Sequence, residues 1–205
     1  MAVTEEVVHA PAEHAEGHHT STGLSNVKLG MWAFLGSDCL LFGGLISTFL
    51  LMRSKEVLHG VPVSKIYDIP FTSISSFVLL MSSMTMVLAL SAIQHGDHRR
   101  ARTWILTTAL LGAVFVSGQV YEFTTFYNHG FGFSTNLQSS AFYALTGFHG
   151  VHVSVGILML LSLYVLSLRG KLPTEKAETV EIVGLYWHFV DIVWIIIFTV
   201  VYLIH

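Results

Sequence analysis

Leu137-Gln-Ser-Ser-Ala-Phe-Tyr-Ala-Leu-Thr146-Gly-Phe-His149-Gly-Val-His152-Val-Ser-Val-Gly156-Ile-Leu-Met-Leu-Leu-Ser-Leu-Tyr-Val-Leu-Ser-Leu168 is the stretch that decides the fold. It holds no Asp, Glu, Lys or Arg. It is too long for a helix of a small soluble domain, and about 20 apolar residues cross a bilayer core of about 30 Å. The run is therefore read as a membrane helix with polar groups inside it, and polar groups at that depth are expensive. His149 and His152, at i and i+3, share roughly one face.

Four further runs have the same character: about 29–52, 71–93, 103–126 and 182–204. The chain is 53% hydrophobic and 11% charged, whereas a soluble domain is about 25% charged. The expectation is an all-α integral membrane protein, a bundle of five transmembrane helices in one domain over 29–205. A polar, His-rich tail (1–28) precedes it. That tail has no apolar core of a signal peptide, and its His9, His14, His18 and His19 are read as solvated, with metal binding the alternative. Net charge is −3 with neutral histidines, which gives no nucleic-acid footprint. Cys39 is the only cysteine, so an intrachain disulfide and an iron–sulfur centre made by this chain alone are excluded.

Lys and Arg set the orientation. Lys28, Arg99, Arg100, Arg102, Arg169, Lys171 and Lys176 lie on the N-terminal side; Arg53, Lys55 and Lys65 lie on the other. The N-terminus is expected in the cytoplasm and the C-terminus outside. Pro62 and Pro70 break the loop after the first span, and His95–Arg102 reads as a short basic turn.

The candidate functional residues are the polar groups within the spans. Asp38 lies about two turns in from the cytoplasmic side; a lone carboxylate there costs about 2.5–3.5 kcal/mol. It reads as a proton-linked or lipid-linked acid, or as a carboxyl bonded to a histidine of the fourth or fifth helix. Glu122 lies about one turn from the outer surface and reads first as an interfacial structural acid, with a partly hydrated functional acid the alternative. His188 and Asp191, at i and i+3 on the fifth helix, can pair. His149 or His152 with His188 would make a bis-histidine haem site; hydrogen-bonded structural histidines are the other reading. Ser and Met in the second helix (Ser73, Ser75, Ser76, Ser82, Ser83, Met81, Met84, Met86) suit close packing, with a methionine copper site the alternative. Gly30, Gly36, Gly43 and Gly44 leave a thin face on the first helix, and Gly147, Gly150 and Gly156 read as close-packing positions. No nucleophile–base pair or cofactor loop stands out. An electron carrier using the histidines and a proton-coupled transporter using Asp38 and Glu122 remain open; no internal repeat favours the latter.

Four runs carry a resemblance: Gly30-Met-Trp32-Ala-Phe-Leu-Gly-Ser-Asp38, Tyr121-Glu122-Phe, Thr146-Gly-Phe-His149-Gly-Val-His152-Val and Trp187-His188-Phe-Val-Asp191-Ile-Val-Trp194. In this order they resemble subunit III of the haem-copper terminal oxidases, in the five-helix bacterial form. The family's first-helix acid is often Glu, and Asp38 is shorter. The Ser37-Asp-Cys39 run and the His-rich tail are similar to quinol oxidases, and Gly30-Met-Trp32 to cytochrome c oxidases. The resemblance implies a non-catalytic subunit of the bacterial inner membrane, without metal or haem of its own. Haem and copper would sit in partner subunits I and II. The chain would pack mainly on subunit I, beside subunit II and small subunits, retain phospholipid and support proton uptake during dioxygen reduction. It also implies that Asp38, Glu122, His149, His152, His188 and Asp191, with Trp32 and Trp187, line or brace the lipid cleft. A nitric oxide reductase-associated homologue is the alternative within the family.

Overall fold

The computed structural model describes residues 25–56, 69–128, 130, 132–173 and 177–204 of the 205-residue chain. The tail histidines, Pro62, Lys65 and Lys176 lie outside the described residues. Five helices follow in order: α1 (Asn26–Glu56), α2 (Ile69–Gln94), α3 (His98–Asn128), α4 (Leu137–Leu168) and α5 (Ala177–Phe198), the last running into a π-helical turn, Thr199–Leu203. All five are long and apolar enough to cross a membrane. Five spans are thus borne out.

The helices run longer than the apolar blocks. The segment 98–102 is not a turn but the first turn of α3. The turn itself is only His95-Gly96-Asp97, because Gly96 takes φ 76° and returns its N–H to Ile93 O (2.9 Å) while Asp97 N bonds Ala92 O (2.9 Å). A residue without a Cβ reaches that conformation at no steric cost. Asp97 then accepts from Arg100 N at 3.0 Å, starting α3 at once. Arg53, expected in a loop, lies within α1, and Pro70 stands in the first turn of α2, where its missing N–H is harmless. Asn136 caps α4 by accepting from Ser139 N at 2.7 Å.

Packing makes α2 and α3 the most extensive pair; α4 lies against α3, α5 touches α2, α4 and α1, and α1 rests on α4 and α5. Large apolar side chains of the centre, among them Trp187, Trp194, Phe115, Leu79, Met86 and Leu160, are fully buried. Met86 and Phe115 come from α2 and α3, so the α2–α3 hairpin forms one wall of the core. By contrast α1 buries one narrow stripe, Leu35, Asp38, Phe42 and Phe49, and leaves the rest of its circumference open. An added Cβ at Gly30, Gly36, Gly43 or Gly44 would meet nothing within 4 Å, so among the described residues no helix uses that thin face.

Candidate functional site

The intramembrane polar residues fall into three separate sets, each joining helices that are distant in sequence. The first joins α1 to α4. The Asp38 carboxyl is 6% exposed and its Oδ2 stands 3.5 Å from His152 Nε2, an ion-pair separation without hydrogen-bond alignment. The other ring nitrogen, Nδ1, lies 2.7 Å from Phe148 O of its own helix. Phe42, one turn from Asp38, sets its ring edge-on to His152 at 5.0 Å, and Tyr186 donates to His152 O at 3.0 Å. Beside this pair lies a groove of about 230 Å³ between α1, α4 and α5, walled by Met31, Phe34, Val155, Met159, Tyr186 and His152.

His149 shares only the Phe42 ring with that environment. One turn away, it is 0% exposed, stacked on Trp194 at 4.9 Å and edge-on to Phe115 at 5.9 Å. Among the described residues neither of its ring nitrogens has a hydrogen-bond partner. The i, i+3 spacing puts the two imidazoles on neighbouring rather than identical directions, so His152 faces Asp38 of α1 while His149 faces Phe115 of α3 and Trp194 of α5.

The second set ties three helices at the far end. Glu122 is buried, at 6% exposure. Its Oε1 accepts from Thr72 on α2 (3.1 Å) and from Tyr202 in the π-helical turn (2.8 Å). The sequence offered no sign of Thr72 or Tyr202 as its partners, because neither is periodic with it.

The third set joins α2 to α5. His188 and Asp191 do not pair directly. Ser83 takes the imidazole instead: its Oγ is 2.5 Å from His188 Nδ1. Asp191 Oδ1 has no partner. The serines of α2 prove to be hydrogen-bonding positions as well as small ones. Ser82 accepts from Trp187 Nε1 (3.0 Å) and Ser76 from Trp194 Nε1 (2.8 Å). A buried indole N–H needs such an acceptor, and that rule was the available signal for these serines.

Trp187 is buried and Trp32 is exposed on α1. Among the described residues no group of three or more His, Cys, Asp or Glu side chains is placed to hold a metal ion.

Fold and site together define a class: a multi-pass helical membrane protein whose buried polar groups join helix to helix. A family model described as cytochrome c oxidase subunit III matches residues 7–205. Cytochrome c oxidase subunit 3 of Bacillus sp. (strain PS3) is 38% identical over 179 residues, 87% of this chain and 86% of the relative. That of Thermostichus vulcanus is 40% identical over 177 residues, 86% of each. Quinol oxidase subunit 3 of Bacillus subtilis (strain 168) is 34% identical over 197 residues, 94% of this chain and 96% of the relative. The chain belongs to the cytochrome c oxidase subunit III family, and the resemblance carried by the four runs is borne out.

Proposed function

We propose that this chain is the accessory third subunit of an aerobic haem-copper oxidase in the bacterial inner membrane. It packs against the haem-bearing subunit I, beside subunit II and small subunits, while electrons from cytochrome c or quinol reduce dioxygen elsewhere in the complex. Its own work is to hold helices and phospholipid in place near the site of proton uptake. The observation that carries this reading is the disposition of the intramembrane acids and imidazoles. Each set spans two or three helices, Asp38 to His152, Glu122 to Thr72 and Tyr202, Ser83 to His188. A haem needs an imidazole nitrogen facing open space; His149 is wholly enclosed by Trp194, Phe115 and Phe42.

The groove between α1, α4 and α5 supports lipid retention. Its wall is almost wholly apolar, so it suits an acyl chain, and a chain lying there would keep water from the Asp38–His152 pair. Removing the acid should loosen α1 on α4 and the lipid beside it. In the purified oxidase, Asp38→Ala is expected to leave haem content unchanged, lower retained phospholipid and shorten the active lifetime under turnover. Loss of haem with normal subunit association would sink the reading, as would a stoichiometric bis-histidine haem spectrum from this chain alone.

A further inference from the structure

Polar contacts fasten α1 to the bundle at three levels. Lys28 pairs with Glu181 and Ser25 bonds Glu178 at its start, Arg53 reaches Val200 O near its close, and Asp38 faces His152 between them. The apolar stripe that α1 buries beside these contacts is narrow, Leu35, Phe42 and Phe49.

The tautomer of His152 follows from a backbone acceptor. Its Nδ1 lies 2.7 Å from Phe148 O, and a carbonyl only accepts. Nδ1 therefore carries a hydrogen, and Nε2 bears one only in the imidazolium form. Nε2 is the atom that stands 3.5 Å from Asp38 Oδ2. The neighbouring hydroxyls are committed elsewhere. Tyr186 of α5 donates to His152 O at 3.0 Å, and Ser37, beside Asp38, donates to Phe34 O at 2.7 Å. Among the described residues Asp38 Oδ2 makes no hydrogen bond, and no Lys or Arg pairs with Asp38. Met31, Phe34, Val155 and Met159 of the adjacent groove supply neither charge nor a side-chain donor.

The facing atoms can hold no proton, one or two. With none, a buried carboxylate meets the Nε2 lone pair, two acceptors face to face. With two, an imidazolium meets a carboxylic acid, and a cation is buried without its counter-charge. With one, the charges of the pair sum to zero and a hydrogen lies between the two acceptors. Uncompensated charge is the expensive state inside a membrane span. Such a proton belongs to the pair and not to either residue alone.

We infer that Asp38 and His152 form a proton-binding site that holds one proton between α1 and α4, and that this proton is the mid-span fastening of α1. The site is a property of this chain's own residues and goes beyond the accessory-subunit reading.

The test is infrared spectroscopy of the intact purified oxidase. The difference between the native complex and Asp38→Asn shows the bands of the Asp38 carboxyl; the difference from His152→Gln shows those of the imidazole. The expected total is one proton per chain, as a protonated carboxyl with a neutral imidazole or as a carboxylate with an imidazolium. A carboxylate with a neutral imidazole overturns the site, and so does a protonated carboxyl with an imidazolium. Should either variant fail to assemble, Asp38→Glu, which displaces the carboxyl bands, or His152→Asn takes its place. The fastening is read from amide hydrogen exchange over residues 35–42 in the same complexes. Asp38→Asn, whose amide N–H can stand where the shared proton stands, should exchange at the native rate. Asp38→Ala should exchange about three- to tenfold faster, the effect of one lost interhelical hydrogen bond. Exchange in Asp38→Asn as fast as in Asp38→Ala, or equal rates in all three, would overturn the fastening.

Discussion

Trp187 is enclosed on three sides, and glycine makes the enclosure possible. A Cβ at Gly112 would stand 2.5 Å from its ring, and one at Gly156 would stand 2.8 Å from it. The indole N–H is then left facing Ser82. Gly112→Ala or Gly156→Ala must push the ring aside and lengthen that bond. Overpacking of this kind costs about 1–3 kcal/mol, so both variants are expected to lower the unfolding midpoint in detergent. Gly147→Ala, whose Cβ would meet nothing within 4 Å, should leave it unchanged. Equal midpoints for all three would show that the seat yields freely. A Cβ at Gly150 would stand 2.9 Å from the Gln119 amide oxygen, the far end of a flexible side chain that can move aside. Three glycines that look alike in sequence therefore have different uses.

At the scale of elements, α5 is fastened at both ends. Near its start Lys28 of α1 pairs with Glu181 at 2.6 Å, and Ser25 bonds Glu178. At its close the ladder widens to a π-helical turn, with Ile204 N reaching Thr199 O at 3.0 Å. The last carbonyls of a helix lack intrahelical donors; Arg53 of α1 supplies one to Val200 O at 3.1 Å, a cation where the helix dipole favours it. Tyr202, in the same turn, reaches Glu122. Removing that hydroxyl with Tyr202→Phe should cost about 0.6–1.7 kcal/mol, the range for interhelical bonds in membranes. Hydrogen exchange of the 199–204 amides should rise more than that of the α5 centre. A uniform rise along α5 would mean that the turn is not fastened separately.

The whole molecule has a charge asymmetry that the helix contacts make concrete. Arg102 on α3 meets Ser167 on α4 at 3.0 Å, and Lys28 on α1 meets Glu181 on α5. The starts of α1, α3 and α5 thus share an end with the close of α4, and Arg99, Arg100, Arg169 and Lys171 lie there too. Basic residues stay on the cytoplasmic side, so this end is expected to be cytoplasmic. With Cys39→Ser as background, an impermeant maleimide added to intact cells should label Ser134→Cys in the α3–α4 loop. Lys171→Cys should label only after permeabilisation. The reverse pattern would invert the topology.

The sequence by itself determined the number of spans, the span Leu137–Leu168 to the residue, and the family, because hydropathy over about 20 residues and contiguous motif runs are local properties. It also singled out Asp38, Glu122, His149, His152, His188 and Asp191, since an ionisable group within an apolar run is visible without a fold. What each of them touches was decided only by tertiary structure. Helix rotation and pairing turned His149 inward and His152 toward Asp38. They also brought Ser83 to His188, and Thr72 and Tyr202 to a glutamate 50 and 80 residues away. Such partners are set by which faces of distant helices meet, and periodicity within one helix carries no record of that.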